Sequence, residues 1–219
     1  MGHKTGMIYG VIANAQFFDQ LARELTPDLE LIHFVDGGLP SMAMNAPRPR
    51  VIERLRILAS FAQESGAEAI LLTPTPFGRL VDDVKSAVTC PVLSVLETIT
   101  DEALKLHGTI GILANHAGTL TVTSRMLHDQ ASIDGKSIRV QTRLCAGAFD
   151  ALLRFDWTTH NRIVHACLRD LMAQVDVVIV PEAPIEKAMR EFPENDRSVP
   201  VLTSARLSLL RLKAIFGAA

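Results

Sequence analysis

Three short blocks of this 219-residue sequence occur twice in the same order, and this internal repeat constrains the fold more than any other feature. The paired blocks are residues 10–14 and 111–115, residues 69–76 and 176–184, and residues 91–94 and 200–203. The offset between the paired blocks drifts only slightly, from 101 to 109 residues. The chain is therefore predicted to contain two similar halves rather than one continuous sheet.

Each repeated block is a short aliphatic run that stops at a small or turn-forming residue and precedes helical periodicity. This pattern is typical of the βα unit of a parallel sheet. Strands are predicted at residues 6–12, 30–35, 69–73 and 92–95, and again at 109–113, 138–144, 177–180 and 201–202. The clearest helices are predicted at residues 50–65, where Gly66 is the stop signal, and at residues 159–174.

The predicted fold class is α/β, with two pseudo-symmetric doubly wound lobes, each a mainly parallel four-stranded sheet flanked by helices. The first lobe is expected to contain residues 1–100 plus 206–219, and the second lobe residues 101–205. The repeat predicts that superposition pairs Asn14 with Asn115 and Thr75 with Glu182. Ligands of such sheets bind beyond the carboxyl ends of the strands, so one crevice between the lobes is the expected site.

The charge balance argues against a polyanionic partner. The formal net charge is −2, and no long basic run occurs, so neither nucleic acid nor a membrane surface is expected to bind. Residues 7–15 resemble a signal peptide, but the recurrence of the segment in mid-chain indicates a structural unit instead. No apolar run reaches the ~20 residues that span a bilayer. The three widely spaced cysteines form no metal or disulfide pattern, which suits a reducing cytoplasm.

The loops at the strand ends carry a resemblance to a known family. The segments concerned are residues 13–14, 33–36, 73–78, 144–149 and 180–185. Together they resemble the aspartate/glutamate/hydantoin racemase superfamily over nearly the whole chain. Racemases of this family carry one cysteine in each of two strand-end loops, and the two thiols remove and return the substrate's α-proton without a cofactor. Here Pro74 and Glu182 stand at those positions, as in a branch that lacks both catalytic cysteines.

Because proline has no side-chain proton, the two-thiol mechanism is not expected in this chain. Cys90 and Cys167 are predicted to be buried small hydrophobic residues. Cys145 follows a strand, and both a buried and a catalytic role stay open for it.

Glu182 is the predicted catalytic residue. It lies between Pro181 and Ala183, directly after an apolar strand, where poor solvation is expected to raise its pKa toward neutrality. The structural alternative is a carboxylate that favours the start of a helix. His116 is the predicted second acid or base, because imidazole titrates near neutral pH, and His33 is a further candidate. A structural role is the alternative for both histidines.

Polar groups at strand ends and helix starts are candidates for binding a ligand carboxylate together with backbone amides. The predicted substrate-binding residues are Asn14, Pro74, Thr75, Asn115, Thr119, Pro181 and Ala183. The resemblance supports Thr75 in particular, because loop threonines bind substrate carboxylates in the family. Helix capping is the alternative for the asparagines and threonines.

Residues 36–49 form a long connection rich in glycine, proline and methionine, which is typical of a lid or an interface segment. Its methionines also suit a contact in a homo-oligomer. The glycine patterns of nucleotide-binding loops are absent from the sequence.

The leading hypothesis is a cofactor-independent enzyme of this superfamily that transfers a proton on a small carboxylate ligand. A single acid/base group, Glu182, at one face of the reacting carbon fits an isomerase, a tautomerase or a decarboxylase. One alternative is an amino-acid or hydantoin racemase or epimerase with His116 or Cys145 as the second base. The other is a carboxylate-binding or regulatory protein without catalysis.

Overall fold

The computed structural model describes residues 2–106 and 108–217, and the chain divides into two compact units. One unit contains the chain up to Thr98 and the C-terminal segment from Ala205, and the other contains Ile99–Ser204. The first unit has strands β1 (His3–Tyr9), β2 (Leu29–Val35), β3 (Ala69–Leu72) and β4 (Val92–Ser94). Its helices are α1 (Ile12–Leu25), α2 (Leu39–Asn45), α3 (Arg48–Glu64), a 3-10 helix at Thr75–Leu80, and α4 (Val81–Lys85).

The second unit repeats this alternation of strands and helices. Its strands are β5 (Thr109–Ala114), β6 (Arg139–Leu144), β7 (Val177–Val180) and β8 (Val201–Thr203). The chain enters this unit through α5 (Val95–Ala103) and leaves it at the start of α10 (Ser204–Gly217). Between these lie α6 (Ala117–Ile133), α7 (Ala148–Leu153), α8 (Trp157–Met172), α9 (Ala183–Met189) and a 3-10 helix at Glu194–Asp196.

Two four-stranded parallel sheets form the framework, which confirms the predicted α/β fold class. Their strand orders are β2-β1-β3-β4 and β6-β5-β7-β8, so the same order of connections occurs in both units. The inner strands β3 and β7 are buried along their whole length. Their continuous aliphatic sequences suit strands that helices cover on both faces.

Each sheet has its own hydrophobic core on the face covered by a long helix. In the first unit, α3 buries Leu55, Ala59 and Ala62 against the sheet. In the second unit, α8 buries Val164 and Leu168 in the same way. These residues follow the helical spacing expected from the sequence.

Several predicted boundaries need correction. Strand β1 ends at Tyr9 and not at residue 12, because residues 3–9 pair with residues 29–35 and α1 begins at Ile12. The predicted long connection at residues 36–49 contains α2, which buries Leu39 and has Pro40 in its first turn. The predicted stop at Gly66 is confirmed, since this glycine follows α3 with φ of +88°.

None of the helices within residues 2–106 and 108–217 is long and apolar enough to cross a membrane.

Candidate functional site

Glu182 lies at the carboxyl end of β7, at the residue that precedes the first turn of α9. Its Oε2 atom accepts a hydrogen bond of 2.7 Å from the backbone N–H of Asn115. The hydroxyl of Thr119 donates a second hydrogen bond to this carboxylate. Burial raises the pKa of Glu182 to about 7, and the two hydrogen bonds offset only part of that rise. At neutral pH this carboxyl group is therefore present in both protonation states.

The parallel register of β5 and β7 brings these groups together. Ile112 of β5 pairs with Ile179 of β7, so the two strands end side by side. Asn115 follows β5 directly, and Thr119 lies in the first turn of α6. One strand-to-helix turn thus supplies both hydrogen bonds to the carboxylate of the neighbouring strand. This is the edge of the sheet at which open α/β proteins bind ligands.

The side chain of Asn115 has an unsatisfied donor in this cluster. Only 7% of the residue is exposed, and within the described residues its Nδ2 atom has no hydrogen-bond partner. A buried amide without an acceptor costs free energy, about 1–3 kcal/mol. An oxygen atom of a bound ligand would satisfy it, and the predicted substrate-binding role of Asn115 stays a prediction that this geometry supports.

His116 caps helix α6. Its Nδ1 atom accepts a hydrogen bond of 3.1 Å from the N–H of Gly118, so this nitrogen is unprotonated and the ring proton is on Nε2. The ring packs edge-on against Phe149 at a centroid distance of 5.5 Å. The capping role is the structural alternative that the sequence left open, and acid or base catalysis by His116 stays a prediction.

Thr119 is only 4% exposed and contacts Glu182. Its hydroxyl therefore positions the carboxylate, a role that the sequence analysis did not foresee. Ligand binding by Thr119 stays a prediction.

We expect Thr119→Val to raise the pKa of Glu182 above that of the wild type, because the lost hydrogen bond stabilises the charged carboxylate. The measurement is a titration of the Glu182 carboxyl band by infrared difference spectroscopy against Glu182→Gln. Thr119→Ser keeps the hydroxyl and should leave the pKa near that of the wild type. Thr121→Val is the matched control on the same helix, since the Thr121 hydroxyl donates to the carbonyl of Ala117. Equal pKa values in the Thr119 and Thr121 valine variants would contradict the assignment.

The cysteines are poor candidates for catalysis. Cys145 is fully buried, and its backbone N–H donates to Ala114 at 2.8 Å, next to Asn115. Burial, followed by the neighbouring Cys167, raises the pKa of the Cys145 thiol. Cys90 and Cys167 are half-buried and pack against the two cores. Their packing agrees with the predicted role of small hydrophobic residues, but both are less buried than predicted.

The predicted site residues of the first unit lie on separate elements. Pro74 precedes the 3-10 helix that begins at Thr75, and Thr75 is buried. Asn14 lies in the first turn of α1 and not in a strand-end loop, because β1 ends five residues earlier at Tyr9. The predicted position of Asn14 in a strand-end loop is therefore wrong. Pro181 and Ala183 flank Glu182, as the sequence requires.

The residue pairs expected from the repeat stay a prediction. Asn14 and Thr119 each lie five residues after the end of a strand, β1 and β5 respectively. Pro74 and Glu182 both stand immediately before the first residue of the next helix.

Two further polar clusters do not include Glu182, and the sequence analysis did not identify their contacts. Glu186 in α9 is only 5% exposed and accepts a hydrogen bond of 2.8 Å from the Thr203 hydroxyl. The sequence signal that could have identified Glu186 is a charged residue within the apolar stripe of a helix.

His33 has a partner at each ring nitrogen, the hydroxyl of Tyr9 at 3.2 Å and Asp19 at 3.0 Å. These contacts give His33 a structural role in the first unit.

Within the described part of the chain, no group of three or more His, Cys, Asp or Glu side chains is arranged to hold a metal ion.

Solved structures of racemases share this fold. An aspartate racemase homologue from Pyrococcus horikoshii matches 96% of this chain over 99% of its own, with 18% identity and a TM-score of 0.72. Glutamate racemase from Francisella tularensis, in complex with D-glutamate, matches 99% of this chain over 82% of its own, with 14% identity and a TM-score of 0.72. Allantoin racemase from Klebsiella pneumoniae matches 99% over 89%, with 12% identity and a TM-score of 0.66. No family model and no curated protein sequence matches the chain.

Proposed function

The chain has the fold of the aspartate, glutamate and allantoin racemases, and from this premise we propose that it is an enzyme of the isomerase kind that moves a proton on a small carboxylate. In the proposed reaction, Glu182 acts as both the general base and the general acid. Because one fold serves many different reactions, the proposal rests on the properties of the Glu182 carboxyl group.

The pKa of Glu182, raised by burial to about 7, is the single observation that supports this role best. A general base is most effective when its pKa lies near the working pH. The carboxylate form of Glu182 takes a proton from the carbon next to the ligand's carboxylate, and the protonated form returns one. An exposed glutamate, with a pKa near 4.5, would be far less effective at the second step.

The surroundings of Glu182 suit a ligand carboxylate. The Nδ2 donor of Asn115 is buried and lacks an acceptor among the described residues. The adjacent helix α6 begins at Ala117, and its N-terminus carries partial positive charge. We propose that these groups bind an oxygen of the ligand and stabilise the charge that develops when the α-proton leaves. Proton transfer between carbon and a carboxyl group requires no cofactor.

A reaction with one principal acid/base group fits an isomerase, a tautomerase or a decarboxylase better than a two-base racemase. The residue that corresponds to Glu182 in the first unit is Pro74, which has no proton to exchange. A racemase or epimerase reaction would need a second acid/base group, and the exposed His116, whose Nε2–H can donate a proton, is the candidate for it.

The experiment that tests this function is deuterium exchange in heavy water. The protein is incubated with a panel of small carboxylic acids, amino acids and hydantoins, and proton NMR measures the loss of each α-proton signal. We expect enzyme-dependent exchange for at least one carboxylate. Saturable binding of a carboxylate without exchange, loss or rearrangement would instead identify a binding protein.

We expect this activity to survive thiol reagents. Cys145 is fully buried, and burial keeps its thiol protonated, whereas alkylation requires the exposed thiolate. The measurement compares exchange rates before and after treatment with iodoacetamide, with mass spectrometry to locate the label. Rapid inactivation that tracks modification of Cys145 would overturn this prediction and make Cys145 the catalyst.

A further inference from the structure

Two of the three cysteines lie side by side in the second unit, although they are 22 positions apart in the sequence. Cys145 follows β6 directly, and Cys167 lies in α8. The two thiols are hydrogen-bonded to each other. The Sγ atom of Cys167 also lies 3.9 Å from the carbonyl oxygen of Leu144, the residue before Cys145. The fold therefore creates a thiol pair that the spacing of the cysteines does not indicate.

The packing of α8 holds this thiol pair in place. Ile163 lies about one turn before Cys167, and its Cδ1 atom is 3.7 Å from the position that a Cβ atom would have at Gly147. Helix α8 therefore runs along the segment that follows β6. The backbone N–H of Cys145 donates a hydrogen bond of 2.8 Å to the carbonyl of Ala114. Because the thiols are already in contact, rotation of the side chains can bring them to the ~2.05 Å of a sulfur–sulfur bond.

The two thiols differ in their access to solvent. Cys145 is fully buried, whereas Cys167 is half-buried. Burial, followed by the neighbouring Cys167, raises the pKa of the Cys145 thiol, which keeps it protonated and protects it from reagents in solution. A small oxidant from solution therefore meets Cys167 first, and the thiol in contact with the oxidised sulfur is that of Cys145.

We propose that Cys145 and Cys167 are a redox modification site, at which hydrogen peroxide converts the thiol pair into a reversible disulfide. In the first step peroxide oxidises the Cys167 thiol to a sulfenic acid and is reduced to water. In the second step the Cys145 sulfur attacks the sulfenic sulfur, the sulfur–oxygen bond breaks, and the hydroxyl group leaves with the Cys145 thiol proton as a second water. Dithiothreitol reverses the reaction by thiol–disulfide exchange.

The disulfide would form next to the Glu182 site without using its polar groups. The Glu182 carboxylate is near enough to Cys145 to contribute to the raised pKa of this thiol. The crosslink also closes residues 145–167 into a covalent loop that contains α7. Phe149 of this helix packs against His116. Oxidation is therefore expected to restrict the motion of a segment that borders the site.

Peptide mapping without reductant tests the disulfide. Wild-type protein is treated with hydrogen peroxide, remaining thiols are blocked with N-ethylmaleimide, and trypsin separates the two cysteines because Arg154 and Arg162 lie between them. Mass spectrometry is expected to detect a linked pair of peptides, lighter by two hydrogen atoms than the free peptides together, that disappears after dithiothreitol. Cys90→Ser is the matched control, since Cys90 is a half-buried cysteine of the other unit. It should form the crosslink to the same extent as the wild type.

Single variants test the order of the two steps. Cys145→Ala lacks the second thiol, so the sulfenic acid should persist at Cys167, where dimedone labels it. Cys167→Ser lacks the accessible thiol, and neither a crosslink nor a dimedone label at Cys145 is expected. Circular dichroism confirms that each variant is folded, and no readout requires a substrate. A wild type without the linked peptides, a crosslink that contains Cys90, or a label at Cys145 in Cys167→Ser would each overturn the proposal.

Discussion

Replacing Glu182 with glutamine is expected to lower the rate of α-proton exchange by about 10² to 10⁴-fold, the usual contribution of a general acid or base. Glutamine keeps the shape of the side chain, and its oxygen can still accept the hydrogen bond that the Asn115 N–H makes to Glu182. Its amide acts neither as an acid nor as a base at neutral pH. The affinity for the carboxylate identified in the exchange panel should therefore stay within a few-fold. The measurements are exchange by NMR and binding by calorimetry.

Glu194→Gln is the control for this substitution. Glu194 is an exposed carboxylate in the 3-10 helix of the same unit, and its removal should change neither rate nor affinity. A Glu182→Gln variant with the wild-type rate would show that the carboxylate is structural. Equal losses of exchange rate and of ligand affinity would instead show that Glu182 serves to bind the ligand.

Strands are predicted best where an apolar sequence coincides with burial. Strand β7 has the predicted bounds, because all four of its residues are buried. The predicted end of strand β1, residue 12, lies three residues beyond the observed end at Tyr9. The prediction is too long because Val11 and Ile12 continue the apolar run, although they are 49% and 73% exposed. Sequence alone cannot distinguish an exposed apolar residue from a buried one, and here the pairing of β1 with β2 decides the boundary.

The chemistry at Glu182 was predictable in part. Its position after a buried aliphatic strand indicated poor solvation, and its raised pKa confirms that expectation. The donors to the carboxylate were not predictable, because Asn115 is 67 residues away in sequence and reaches Glu182 only through the register of β5 with β7. The capping role of His116 likewise depends on where α6 begins, which the sequence leaves uncertain by several residues.

The burial of Glu182 should also make the stability of the second unit depend on pH. The pKa of this group is about 7 in the folded chain, against 4.5 for the ordinary side chain. Between these values the folded state binds more protons than the unfolded state. The free energy of unfolding therefore falls as pH rises from about 4.5 to about 7, and it levels off above that range.

Glu182→Gln is expected to remove this dependence, because glutamine resembles the protonated acid at every pH. The variant should match the wild type near pH 4 and exceed its free energy of unfolding by up to about 3 kcal/mol at pH 8, since each pKa unit corresponds to about 1.4 kcal/mol. Urea titrations followed by tryptophan fluorescence measure this difference. The only tryptophan of the chain, Trp157, begins α8 and so reports on the second unit.

The comparison is informative because the other titrating groups are common to both proteins and cancel in the difference between them. Glu194→Gln again serves as the control, because it removes an exposed carboxylate from the same unit. Curves of Glu182→Gln and wild type that run parallel from pH 4 to pH 8 would mean that the pKa of Glu182 in the folded chain lies near its ordinary value. A carboxylate of that kind would be ionised at neutral pH and poorly suited to returning a proton to carbon, so the proposed chemistry would lose its physical basis.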